Sequence, residues 1–133
     1  MASKPLFIML CSGEHEKIQL AAMIASVAAV SDRPVEVFVT MNAVLPFQRG
    51  LTREQRYQGG HFHEEFMVKK VPDAIELFEQ GKMLGDLKMW VCSMVLDLKH
   101  WEHDRDLVEG LFDGPAGLAK FLSDAEEGEL ITL

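Results

Sequence analysis

The side chains of this chain best suited to covalent chemistry are its two cysteines. Cys92 follows the apolar run 87–91 and precedes Ser93 and a short apolar stretch, 94–98. Cys11 follows the apolar run 6–10 and precedes Ser12, Gly13 and a long alanine-rich stretch. Each therefore reads as the residue that ends a strand and leads into a helix. In open parallel sheets, ligands gather beyond the carboxyl ends of the strands. A helix start there offers unpaired N–H groups and a partial positive charge. Such a place favours thiolate, the nucleophilic form of cysteine, and would equally hold a persulfide anion or an oxyanion. Cys92 is thus the candidate nucleophile, with Ser93, Cys11, Ser12 and Gly13 as candidate substrate-binding residues. If the strands ran in the order 2-1-3, Cys11 and Cys92 would end neighbouring strands and could face each other. The competing reading is burial, since free cysteine is among the most buried residue types.

Several sharper motifs are excluded. Neither cysteine belongs to a C-x-x-C pair, so a thioredoxin-type dithiol has no support. Six residues after Cys11, where a phosphatase loop requires an arginine, stands Lys17, and Glu14 and Glu16 between the two would repel a phosphate. Cys92 lacks the upstream Pro and Thr of a peroxidase loop. No Walker loop and no G-x-G-x-x-G is present. His61 and His63, followed by Glu64 and Glu65, would point the same way on an extended segment and resemble half of a metal site. His100 and His103 could share a helix face. Neither pair has a third histidine or a cysteine at ligand spacing, so no metal and no cofactor is expected. Lys88 and His15 read as surface residues that could at most tune a thiol.

The elements that position these residues follow from periodicity and turn chemistry. Residues 6–10, 35–40 and 87–91 are apolar or β-branched runs, as expected of buried parallel strands. Residues 14–31 form a helix with small residues at helical spacing, its start capped by Ser12 or Gly13. Residues 72–84 form another, with Pro72 in the first turn and Gly85 as the stop. Between them, residues 42–70 read as an irregular insertion in which Thr52 caps a short helix. A short strand or turn is expected near Val108. Gly114-Pro115 opens a last helix, 116–124, and residues 130–133 form a closing strand. Alternating strands and helices predict an α/β fold: one doubly wound domain over residues 1–133, with an about five-stranded, mainly parallel sheet flanked by helices.

Composition bounds the partners. Thirteen basic and 21 acidic residues leave a net charge of −8 in 133 residues, a balance that repels phosphate backbones and anionic lipids. No nucleic-acid or membrane partner is expected. The longest apolar stretch is too short to span a bilayer, and the first residues do not read as a secretory signal. Those features predict a cytoplasmic protein with free thiols.

The segment Trp90-Val91-Cys92-Ser93-Met94-Val95-Leu96-Asp97-Leu98 carries a family resemblance, together with Ser12-Gly13-Glu14-His15-Glu16-Lys17 opening a small-residue helix. The chain resembles the DsrE/DsrF-like sulfur-relay family, in the branch often labelled peroxiredoxin-like. The likeness covers most of the chain except residues 42–70. Where that family often continues with Met and then Gly-Ile, this chain has Lys99-His100-Trp101. The resemblance implies that Cys92 accepts sulfane sulfur as a persulfide and passes it to a small sulfur-carrier protein or another relay component. It also implies a homo-oligomer, a trimer or a multiple of one. It assigns nothing to Cys11. The alternative on the same fold is a non-catalytic oligomeric binding or assembly protein.

Overall fold

The computed structural model describes residues 3–133. Its centre is a five-stranded, all-parallel sheet of β1 (Leu6–Leu10), β2 (Val35–Val39), β3 (Leu87–Cys92), β4 (Gly114–Ala116) and β5 (Glu129–Thr132), in the order β4-β3-β2-β1-β5. The three central strands are the apolar runs expected from the sequence. Their side chains are buried on both faces wherever helices cover them. Three successive connections step from β1 to β4, and the fourth returns across the sheet to place β5 on the far side of β1. With right-handed crossovers, that reversal puts helices on both faces. The fold is doubly wound α/β.

One face is closed by α1 (His15–Val30) and α4 (Ala74–Leu84). Ala21, Ala22, Ala25 and Ala29 are fully buried on α1, which lets the backbones of α1 and α4 approach. Gly85, just past α4, marks the closest approach: a Cβ there would run into the backbone carbonyl of Ala29. The other face is covered by α7 (Leu118–Ala125), whose Phe121 stacks on Phe38 at 5.1 Å and meets Phe7 edge-on at 5.7 Å.

Residues 41–70 are built into the domain. A 3₁₀ segment, Met41–Phe47, buries Phe47 between Phe78 and Phe112. The short helix α2 (Arg53–Arg56) starts with a reciprocal Thr52–Gln55 capping box, as the Thr52 cap predicts. Arg56 ties the segment down by donating to the carbonyls of Pro46, Gln48 and Leu51. Tyr57 is buried and its hydroxyl accepts the Ile75 N–H at the start of α4. The helix α3 (His63–Lys69) follows.

The short strand or turn expected near Val108 is a turn, closed by the Leu111 N–H donating to the Val108 carbonyl and preceded by an isolated bridge between Leu107 and Gln48. One expectation is corrected. Gly114 and Pro115 do not open the last helix but form the edge strand β4 beside Trp90–Cys92. Proline is tolerated on an edge, where one side of the backbone needs no partner. The small helices α5 (Ser93–Lys99) and α6 (His103–Asp106) fill the β3–β4 connection. Among the described residues, no helix is long and apolar enough to cross a membrane.

Candidate functional site

Cys92 is the last residue of β3 and the N-cap of α5, as its sequence position predicts. Side chains alternate along a strand, so Cys92 turns to the face occupied by Trp90, the α7 face. Cys92 pairs in register with Ala116 of β4. Ala116 and Trp90 border a cavity of about 50 Å³ that is completed by Glu36, Pro115, Lys120, Phe121 and Asp124. Trp90 is fixed there by its indole N–H, which donates to Glu36 Oε1 at 2.8 Å. Cys92 itself is only 6 % exposed and is part of the hydrophobic core. Ser93, next along, is exposed on the first turn of α5.

The other candidates are not gathered around Cys92. Strand order is the reason: β2 lies between β1 and β3, so Cys11 and Cys92 do not end neighbouring strands. The ladder Leu10–Val39–Val91 sets Cys11, Thr40 and Cys92 in one row. With two inter-strand spacings between them, the cysteines are about 10 Å apart. Cys11 is half-buried and its thiol donates weakly to the Met9 carbonyl at 3.9 Å. Burial raises its pKa, which disfavours the thiolate. Ser12 does not cap α1 directly. The N-cap is Glu14, and the Ser12 hydroxyl accepts the Glu14 N–H at 3.2 Å. Gly13 donates its N–H to Asn42 Oδ1 at 3.0 Å.

Ser12 and Gly13 do line a wide open cleft of about 890 Å³ at the carboxyl edge of the sheet, with Asn42, Gln55, Lys99 and Trp101 among its other walls. Lys99 lies over the Trp101 ring at 5.3 Å. Cys92 is not on that wall.

The histidines take other roles than those expected. His63 opens a helix instead of an extended segment, because Glu64 and Glu65 suit a helix start and Phe66 packs inward. Its Nδ1 lies 2.9 Å from Nδ1 of His15. The exposed His61 donates its backbone N–H to Glu16. His100 ends α5 in the left-handed conformation, while His103 begins α6, so the two do not share a helix face. Among the described residues, no group of three or more histidines, cysteines and carboxylates is placed to hold a metal ion.

His15 is the residue that sequence reasoning misplaced. It is 1 % exposed, stacked on Tyr57 at 4.5 Å and edge-on to Phe66 at 5.2 Å. The signal was available: positions 15, 18, 22, 25 and 29 continue a single buried helical stripe. Lys88, in contrast, is exposed as expected. No family model matches the chain, and no curated protein matches it.

Proposed function

We propose that the protein carries sulfane sulfur as a persulfide on Cys92 and hands it to an acceptor thiol, on a small carrier protein in a reducing cytoplasm. The observation that carries this reading is the position of Cys92, at the carboxyl end of a central parallel strand and at the N-cap of the next helix. That is where open α/β sheets place their chemistry. The likeness of residues 90–98 to a sulfur-relay segment supports it; Cys92 itself does not line the small cavity beside Trp90 and Ala116.

The chemistry balances without an external oxidant. Cys92 thiolate attacks the outer sulfur of a donor persulfide. The donor S–S bond breaks, the donor leaves as its thiolate, and the outer sulfur stays on Cys92 with its proton. An acceptor thiolate then attacks that outer sulfur and releases Cys92 thiolate. Cys92 is 6 % exposed, which leaves room at most for a small donor. Delivery to a protein acceptor requires the first turn of α5 to shift. That helix spans seven residues, of which only Val95 and Leu96 are buried.

The same burial favours a second reading, in which Cys92 is a core residue of a non-catalytic, oligomeric assembly protein. Intact mass after incubation of the reduced protein with thiosulfate, polysulfide or a low-molecular-weight persulfide separates them. Gain of one sulfur atom that is lost in Cys92→Ser and kept in Cys11→Ser supports the carrier. Absence of any adduct with all three donors supports the assembly protein.

A further inference from the structure

The open cleft of about 890 Å³ lies where the chain leaves β1 and β2, and where it leaves α5 after β3. That edge is where open α/β sheets bind ligands, and a cleft of this size holds a small metabolite. Its polar side chains share a pattern: their acceptor atoms are already engaged, and their donors are not.

A backbone N–H can meet only the oxygen of a carboxamide, so each such bond fixes which end of the amide stays free. The Gly13 N–H donates to Asn42 Oδ1 at 3.0 Å, which leaves the Asn42 NH2 group. The Thr52 N–H donates to Gln55 Oε1 at 3.0 Å, which leaves the Gln55 NH2 group. The Glu14 N–H donates to the Ser12 hydroxyl oxygen at 3.2 Å, which leaves the hydroxyl hydrogen. Three different segments of chain therefore present an oriented donor to one cleft. Gln58 is the exception, since its NH2 group donates to the Gln55 carbonyl and its oxygen stays free.

The charges of the wall agree with the donors. Lys99 is held over the Trp101 ring at 5.3 Å, and Arg56 donates only to backbone carbonyls. Neither takes part in an ion pair among the described residues. The single acid of the wall is Glu14, and its carboxylate is turned onto Gly60, 3.1 Å from where a Cβ of that residue would stand. Two cations less one acid leave the wall at +1, in a chain whose net charge is −8. A cleft whose sign opposes that of the whole molecule concentrates anions locally.

We infer that this cleft binds a small organic oxyanion, a carboxylate or a phosphate ester. The Asn42 and Gln55 NH2 groups and the Ser12 hydroxyl donate to its oxygens, and Lys99 and Arg56 balance its charge. Leu45, Leu51 and Trp101 on the same wall offer apolar surface to its carbon skeleton, which an inorganic anion lacks. The site is separate from Cys92, which is not on this wall, so the mass test above and the test below fail independently.

Nuclear magnetic resonance of the ¹⁵N-labelled full chain tests the proposal, by following the side-chain NH2 signals during titration with citrate, glucose 6-phosphate and inorganic phosphate. One of the two organic probes is expected to shift the Asn42 and Gln55 NH2 signals and to saturate below about 10 mM, at least about tenfold more tightly than inorganic phosphate. Tighter binding of citrate assigns a carboxylate ligand, and tighter binding of glucose 6-phosphate a phosphate ester. Asn42→Asp keeps the acceptor for Gly13, and Gln55→Glu keeps the capping box, so each removes a donor and spares the fold. Each is expected to weaken binding at least about tenfold with an unchanged circular dichroism spectrum, and Lys99→Gln to weaken it severalfold. Failure of both organic probes to saturate, inorganic phosphate binding as tightly as either, or wild-type affinity in Asn42→Asp and Gln55→Glu would overturn the proposal.

Discussion

The Nδ1 atoms of His15 and His63 lie 2.9 Å apart, joining the first turn of α1 to the first turn of α3. Two imidazoles at this distance share one proton, one ring donating while the other accepts. His15 is held to the neutral form, with its pKa lowered to about 4. Burial is the main cause. The His63 and Arg53 charges act in the same direction, and Asp73 and Glu16 oppose them.

Acid should therefore loosen the fold in a defined window. In the unfolded chain His15 titrates near 6.5, and in the folded chain near 4. Between those values the unfolded state binds a proton that the folded state refuses, so stability is full above about pH 6.5 and falls as pH drops towards 4. The expected loss is on the order of 2 kcal/mol. Urea midpoints at pH 7 and pH 4.5 measure it. His15→Phe, which keeps the stack on Tyr57, should flatten this part of the profile; an unchanged slope in that variant would remove His15 as the cause.

The two cysteines should not form a disulfide within one chain. A disulfide needs Cα atoms within about 7 Å, and the interposed strand β2 sets these about 10 Å apart. After mild oxidation, peptide mapping without reductant is expected to find no Cys11–Cys92 link in the monomeric fraction. Finding one in folded protein would contradict the strand order.

Gly85→Ala should be more damaging than Gly81→Ala. A methyl at Gly85 meets the backbone of Ala29, which cannot move without α1. A methyl at Gly81 crowds the end of the Leu87 side chain, at 2.8 Å, and makes ordinary contacts with Ser26 and Ala29. A loss of about 3 kcal/mol is expected for Gly85→Ala and about 1 kcal/mol for Gly81→Ala. Chemical denaturation of both variants checks the ranking.

Tyr57→Phe should cost about 1–2 kcal/mol, because the Ile75 N–H loses its buried acceptor. Hydrogen exchange locates the effect: the Ile75 amide should lose protection before the central sheet does. Equal loss across the sheet would mean that the hydroxyl acts otherwise than at the entry of α4.

What was legible in the sequence follows from how local each signal is. β1, β2 and β3 announce themselves because strands buried on both faces need unbroken apolar runs, and the Thr52 cap is a matter of four consecutive residues. β4 is hidden. Gly114-Pro115-Ala116 has the chemistry of a helix start, and it becomes a strand only because β3 offers it a free edge. Strand order is equally non-local: nothing within residues 87–92 says whether β3 lies beside β1 or beside β2, so the facing of Cys11 and Cys92 could not be read. Cys92's strand-end position was visible, but its burial depends on β4 and on the packing of α5.

The placement of β5 bears on how the protein is made. β1 is synthesised well before β5, yet its second edge is satisfied only by Glu129–Thr132. A nascent chain on the ribosome can form the β1–α1–β2 unit early, but β1 then waits with one row of backbone groups unpaired until translation has passed Thr132. Such an edge invites pairing with neighbouring chains until β5 docks.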